Sequence, residues 1–517
     1  MAKKRHSWGS RTGIILAVAG SAVGLGNFLR FPVQAASNGG GAFMIPYFIS
    51  LVLLGIPLMW IEWSLGRYGG GFEHGTAPGI FHTMWEKNRF IKYFGVIGIF
   101  GPLVIFIYYT YIESWTLGYS VFSILGHYKG IEDQATMQSF LSAYQGLEKN
   151  SFFTSLAPAY FFFLITFIAN ITVIYYGIRH GIEKLCKIAM PLLFILGLII
   201  MARVLTLGIP NLSMPDWNIS NGMGFLWNPD FSALLQPKVW LAAAGQMFFT
   251  LSVGIGVILT YASYLKKGDD VVLSGLSAVS MNEFIEVIIG SSIIIPAAFA
   301  FFGPLGIKEV AASGAFNLSF VTMPIIFHQI FGGAFFGAVW FLLLFLAGIT
   351  SSVSLAQPAI AFLEDEFNLT RGKAVKIFGA VAFLCCQPVI FLLGKGVVNE
   401  LDFWGGTFCL VLFATVETIL FTWVFGMDKA WDEMHHGADF AVPKIYRFIM
   451  KYVTPLFLII ILVSWLIKDG VSVIMMRDVA AADKPFVIGT RLFLIFLFIL
   501  LSLLVKIAWR RRRLKNE

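Results

Sequence analysis

Residues 17–27 read Ala17-Val18-Ala19-Gly20-Ser21-Ala22-Val23-Gly24-Leu25-Gly26-Asn27, in the middle of an apolar run from 12 to 36. Three glycines in seven residues weaken a helix by roughly 1 kcal/mol each. A second such stretch, Phe249-Thr250-Leu251-Ser252-Val253-Gly254-Ile255-Gly256, interrupts the run 238–264. One alone would be read as close helix packing, and Gly20 with Gly24 has the small-xxx-small spacing for it. Two of them, five spans apart, suggest broken helices in matching positions of an inverted repeat. Non-helical backbone at mid-depth in a membrane is tolerated only where it lines a cavity or is buried in protein. At such a break, carbonyls without helical partners can bind a cation. The N–H groups that open the following half-helix can bind an anion.

The rest of the chain supports a membrane reading. Of 517 residues 58 % are hydrophobic and only 13 % charged, against about 25 % charged in soluble domains. Such a surface excludes a cytosolic enzyme, a disordered chain and a secreted disulfide scaffold. Apolar stretches near the roughly 20 residues needed to span a bilayer occur at 12–36, 42–66, 93–125, 154–177, 188–207, 238–264, 271–302, 334–363, 374–394, 401–425, 452–467 and 486–508. The expected fold is an all-α polytopic membrane protein with 12 transmembrane helices, built as a 5+5 inverted repeat with discontinuous helices 1 and 6. One domain covers 1–517, with a first repeat at 12–207, a second at 238–425, and the last two spans and a basic tail at 443–517. The repeat is inferred from hydropathy and the breaks, since the halves show no clear residue-level similarity. Cys186, Cys385, Cys386 and Cys409 lie in apolar runs without metal-type spacing and read as packing thiols.

With the N-terminus in the cytoplasm, 26 of the 37 Lys and Arg fall inside, including the 179–187 and 429–451 loops. This positive-inside bias places both termini in the cytoplasm of a multi-pass protein of the cell membrane. The net charge of +8 therefore reflects topology, and no nucleic-acid partner is expected. Arg510-Arg511-Arg512-Arg513 reads as an anchor at anionic lipid. Inside the spans, Glu62, Glu286 and Glu417 stand out, with Asn27, Asn282 and Gln246 as polar neighbours. Intramembrane charge is a functional hypothesis by default. The plain alternative is a helix–helix clamp worth about 0.6 kcal/mol, favoured for Glu417 and evenly balanced for Glu62.

Ala22-Val23-Gly24-Leu25-Gly26-Asn27-Phe28-Leu29-Arg30-Phe31-Pro32 resembles the first-helix signature of the neurotransmitter:sodium symporters, its bacterial leucine-transporting members most closely. Asn38-Gly39-Gly40-Gly41-Ala42-Phe43, Pro57-Leu58-Met59-Trp60-Ile61-Glu62, Gln246-Met247-Phe248-Phe249-Thr250-Leu251-Ser252 and Ala347-Gly348-Ile349-Thr350-Ser351-Ser352 fit as well. The resemblance runs over nearly the whole chain.

It implies a sodium-coupled symporter that imports an apolar α-amino acid by alternating access, with two Na⁺ sites. The first would use the Ala22 carbonyl, Asn27, Thr250, Asn282 and the substrate carboxylate. The second would use carbonyls of Gly20, Val23 and Ala347 with hydroxyls of Thr350 and Ser351. Biogenic-amine members place an Asp where this chain has Gly24, so the missing charge would come from the substrate. Its carboxylate would meet N–H groups of Leu25 and Gly26 and the Tyr109 hydroxyl; its ammonium would meet carbonyls of Ala22, Phe249 and Thr250 and the Ser252 hydroxyl. The side-chain pocket would be Ile105, Phe249, Ile255, Ser352 and Leu355. The leucine-transporting pattern has an aromatic at Ile255, a valine at Ile105 and an isoleucine at Leu355. One methylene is worth only about 1–3 kcal/mol, so Leu, Ile, Met, Val and aromatic amino acids all remain open. Chloride-dependent members have a neutral residue where Glu286 stands, so its carboxylate would substitute for Cl⁻. Arg30 with Asp402 would form the outer gate, and Arg5, Trp8, Ser263, Tyr264 and Asp365 the inner latch.

An ion channel is disfavoured because no charged ring or repeated carbonyl filter is evident. An enzyme is disfavoured because the eight histidines form no paired motif with Cys or Glu in a span. No Walker-type motif suggests ATP drive. Within transport, the alternative substrate is a small zwitterion such as glycine or an amino-acid-like osmolyte. A homo-oligomer is compatible with the sequence.

Overall fold

The computed structural model describes residues 7–516. Among these all regular secondary structure is helical, with one isolated bridge, Gly40 to Pro229, outside helices. The first expected span is two helices, α1 (Arg11–Ala22) and α2 (Leu25–Ser37), bent by 48° at the Val23–Gly24 break. Then follow α3 (Gly41–Gly70), α4 (Ile91–Leu125), α5 (Ala157–Tyr175) and α6 (Ile178–Leu205). The sixth span is again two helices, α7 (Pro237–Leu251) and α8 (Val257–Ala262). The remainder are α9 (Val272–Ala312), α10 (Gly333–Phe367), α11 (Arg371–Phe391), α12 (Val397–Val424), α13 (Ile445–Ile474) and α14 (Lys484–Asn516). Ten of these helices are long and apolar enough to cross a membrane, and the α1–α2 pair makes eleven. The sixth span falls outside that tally because its break leaves both pieces short.

Several helices outrun their hydropathy. Residues 179–187, expected as a loop, are the first turns of α6; the eleventh span grows from 452–467 to Ile445–Ile474; and α14 carries helix through the arginine tail. Charged residues do not end a helix where the apolar core ends, because long Lys and Arg stems let the head groups reach water.

α4 and α10 pack along each other at the centre. α1 lies against α6, α9 and α10, and α8 against α3 and α10. α13 and α14 are peripheral, their apolar faces mostly uncovered by protein.

The two breaks differ in local cause. At the first, Gly24 adopts extended backbone (φ −116°, ψ −167°). At the second, Ser252, Gly254 and Gly256 have φ of 53°, 77° and 78°, three left-handed residues that no right-handed helix accommodates. Their glycines also admit foreign backbone: a Cβ on Gly254 would lie 2.5 Å from the Leu410 carbonyl oxygen, and one on Gly256 2.6 Å from that of Gly98. Gly256→Ala is therefore expected to destabilise by more than the about 1–2 kcal/mol of a left-handed alanine, read as a lowered thermal unfolding midpoint in detergent.

Candidate functional site

The breaks meet in the middle of the bundle. Gly24 N–H donates to Asn27 Oδ1 at 2.9 Å and Leu25 N–H to the Tyr109 hydroxyl at 3.0 Å. The Ser252 hydroxyl donates to the Ser21 carbonyl at 2.8 Å, tying one break to the other. Glu62, reaching from α3, accepts from Gly254 N–H and, at 3.3 Å, from Leu259 N–H. This settles the balance left by sequence: Glu62 is the acceptor for main-chain donors that the second break strands. Glu417 stands beside Glu62, with no N–H or O–H donor on either oxygen among the described residues.

On one side of the breaks lies a polar cluster around Glu286. Gln246 Nε2 donates to Glu286 Oε1 at 2.5 Å; the Tyr47 hydroxyl donates to Oε2 at 3.1 Å, as does the Thr250 hydroxyl. Asn27 Nδ2 reaches Asn282 Oδ1 at 2.8 Å, and Asn282 Nδ2 reaches Thr250 Oγ1 at 2.9 Å. Asn27, Thr250 and Asn282 thus share one buried knot with the carboxylate. On the other side, the Ser351 hydroxyl faces the carbonyls of Gly20 (3.3 Å), Ser21 (3.1 Å) and Val23 (3.5 Å). The Thr350 hydroxyl donates to the carbonyls of Leu346 at 3.0 Å and Ala347 at 3.2 Å.

Between the two lies a cavity of about 60 Å³. Ala22, Gly24, Gly26 and Asn27 supply one wall and Phe249, Ser252 and Ile255 another. Ile105, Tyr109, Ser351 and Leu355 close it. The sequence reading missed Ser21 and Ser354, whose hydroxyls meet at 2.7 Å, and Gly406 and Leu410 from α12.

Ser352 does not join this cavity. Its hydroxyl donates to Asn170 Oδ1 at 2.5 Å, and Asn170 Nδ2 in turn donates to both Glu113 oxygens at 3.2 Å. The reason is helical spacing: Ser351 and Leu355 are four apart and share a face, while Ser352 is turned about 100° from Ser351. Glu113 and Glu283 are buried carboxylates inside spans, found by the same rule that singled out Glu62, Glu286 and Glu417 but passed over in reading the sequence.

The gate residues divide. The Arg30 guanidinium lies 4.3 Å from the Phe249 ring centroid, and Asp402 Oδ1 accepts from the Tyr108 hydroxyl at 2.6 Å. Arg30 and Asp402 are not in direct ion-pair contact among the described residues, but Asp402 acts on the Arg30 charge through space, with the ring and the phenol as their direct contacts. Trp8 Nε1 donates to the Tyr261 carbonyl at 3.0 Å, Gln357 Nε2 to the Tyr264 hydroxyl at 2.9 Å, and the Ser263 hydroxyl to the Thr260 carbonyl at 2.6 Å. The Asp365 carbonyl accepts from Arg512 at 3.5 Å. Arg5 lies outside the described residues. Arg512, expected to lie at lipid, instead pairs with Glu366 Oε2 at 3.0 Å, because a carboxylate with no exposed side-chain surface needs a cation more than a solvated headgroup does.

A profile of the sodium:neurotransmitter symporter family matches residues 5–133 and 139–508. The chain is similar to an uncharacterised sodium-dependent transporter of Methanocaldococcus jannaschii, 32 % identical over 470 residues, 88 % of this chain and 89 % of that protein. It is 24 % identical over 519 residues to the sodium-dependent nutrient amino acid transporter 1 of Drosophila erecta, covering 89 % of this chain and 77 % of that one. Among solved structures it resembles MhsT crystallised in complex with L-phenylalanine, at a TM-score of 0.74 and 29 % identity, over 89 % of this chain and 99 % of MhsT.

Glu62→Ala leaves two buried N–H groups without their acceptor, at about 1–3 kcal/mol each. The variant should unfold at lower temperature than Glu417→Ala, which removes no such acceptor; equal midpoints would contradict this role.

Proposed function

This chain belongs to the sodium:neurotransmitter symporter family and is a sodium-dependent transporter rather than an enzyme; from that premise we propose that it imports an apolar α-amino acid with Na⁺ by alternating access, without a requirement for Cl⁻. The observation that carries the proposal is Gly24. A Cβ there would lie 2.9 Å from Ser351 Oγ and 3.0 Å from the Tyr109 hydroxyl. The position has no room for a side chain, let alone a carboxylate. A ligand with its own carboxylate supplies the charge, beside the N–H groups of Leu25 and Gly26 at the start of α2.

We assign the first Na⁺ to the Ala22 carbonyl, Asn27, Thr250, Asn282 and the ligand carboxylate. The second we assign to Gly20, Val23, Ala347, Thr350 and Ser351. Na⁺ and ligand each complete the other's site, so each raises the other's affinity by the same factor. The cavity wall of Ile105, Phe249, Ile255 and Leu355 favours an apolar side chain, and the phenylalanine bound by MhsT supports the same class. Glu286 already sits in the knot of Asn27, Thr250 and Asn282, where it provides the negative charge that Cl⁻ would bring. The repeats at 12–207 and 238–425 would move against each other around this point, in the cell membrane with both termini cytoplasmic.

Four measurements test these assignments. Binding of the twenty amino acids to purified protein should be Na⁺-dependent and strongest for apolar ones; selectivity for glycine or an osmolyte would replace the substrate class. Ile255→Phe should shift a competition panel toward smaller side chains, and uptake should persist when gluconate replaces chloride. Asn27→Ala, and Thr350→Val with Ser351→Ala, should each abolish Na⁺-dependent uptake at near-normal expression; wild-type activity would defeat the ion assignments.

A further inference from the structure

α1 is a rod of twelve residues, about 18 Å long, and it is held at both ends. At its C-terminal end the Gly20, Ser21 and Val23 carbonyls face Ser351. At its N-terminal end stands Glu183 of α6, a carboxylate that is 2 % exposed. Glu183 Oε2 accepts from Gly9 N–H at 2.7 Å, and Oε1 accepts from the Ser10 hydroxyl at 3.2 Å and from Lys187 Nζ at 2.6 Å. Ser10 already caps α1 by accepting from Gly13 N–H at 3.0 Å, so the helix does not need Glu183 in order to end properly. The facing surfaces are cut to fit. A Cβ on Gly13 would lie 2.2 Å from Glu183 Oε1, and one on Gly20 would lie 3.3 Å from Cys186 Sγ and 3.4 Å from Met190 Sδ. Gly13 and Gly20, seven apart, lie two turns along one face of α1, and the side chains of α6 occupy the space those glycines leave.

We propose that Glu183 is a positioning residue of the transport cycle: its carboxylate latches the N-terminal end of α1 onto α6 in the state closed to the cytoplasm, and so sets the Na⁺ concentration at which that state forms. The proposal rests on the alternating-access reading above. Its logic is that of a lever. Na⁺ held between the α1 carbonyls and α10 favours α1 seated in the bundle. The Glu183 contacts to Gly9 and Ser10 exist only while α1 lies against α6. Both interactions bias one two-state element in the same direction, so weakening the latch requires more Na⁺ for the same occupancy of the closed state.

The native Cys186 reports the test. It is fully buried against Gly20. Replacing Cys385, Cys386 and Cys409 by Ala leaves it the only thiol of the four. Its conversion to a mixed disulfide by a charged methanethiosulfonate, with methanesulfinate as the leaving group, is followed in purified full-length protein against Na⁺, with K⁺ holding ionic strength. In the parent, Na⁺ should protect Cys186; failure to protect would overturn the alternating-access reading, and the latch with it. Given protection in the parent, Glu183→Gln should raise the half-protecting Na⁺ concentration by about tenfold, the loss of one charge-assisted contact, while saturating Na⁺ restores full protection. An unchanged half-protecting concentration would overturn the latch. So would labelling that no Na⁺ concentration suppresses, which marks a structural defect. Gly13→Ala keeps every charge but intrudes on Glu183; it should shift the curve in the same direction, and no shift would count against the latch.

Discussion

A peptide group that leaves its helix inside a bilayer must find another partner, because unsatisfied N–H and C=O groups cost several kcal/mol each in that medium. The centre of this molecule is organised by that requirement. Two spans are broken side by side, and four side chains meet the stranded groups: Asn27, Tyr109 and, from the second break, Ser252 at the first, and Glu62 at the second. Next to these contacts the carbonyls of Gly20 and Val23 face the Ser351 hydroxyl, and together with the start of α2 they are the groups proposed above for Na⁺ and ligand.

The breaks and most residues around them were legible in the sequence, because two glycine-rich interruptions five spans apart fit broken helices better than the close packing that one alone would suggest. The gross helix pattern followed from hydropathy for a similar reason. Two kinds of detail were not legible. Helix ends such as those of α6 and α13 lie in charged sequence, where hydropathy stops but backbone hydrogen bonding continues. Rotational phase was the other. Thr350, Ser351 and Ser352 are consecutive and all hydroxylic, and only the packing of α10 against α4 and α5 shows that Ser352 turns toward Asn170. Glu113 was within reach of a rule already in use, since a carboxylate mid-span is conspicuous by composition alone. Its partner Asn170, 57 positions away, was not.

Charge counting shows the same division. The excess of Lys and Arg on one side of the spans gives a side, and the sum of many small lipid and potential terms needs no particular geometry. It says nothing of which cation finds a protein partner. Glu366 has no exposed side-chain surface, and its two oxygens face His74 at 3.1 Å and Arg512 at 3.0 Å. Trp509, one turn earlier on α14, stacks on His74 with ring centroids 5.9 Å apart. One arginine of a four-residue run is thereby withdrawn from the lipid surface to neutralise a buried carboxylate beside Asp365 and the end of α10. The peripheral helix α14 is thus tied by charge to the end of α10, although its apolar face packs little against the bundle. Removing one partner of a buried pair costs far more than losing a surface contact. The Arg512–Glu366 pair therefore ties the tail to this end of the molecule more firmly than a contact between solvated groups would.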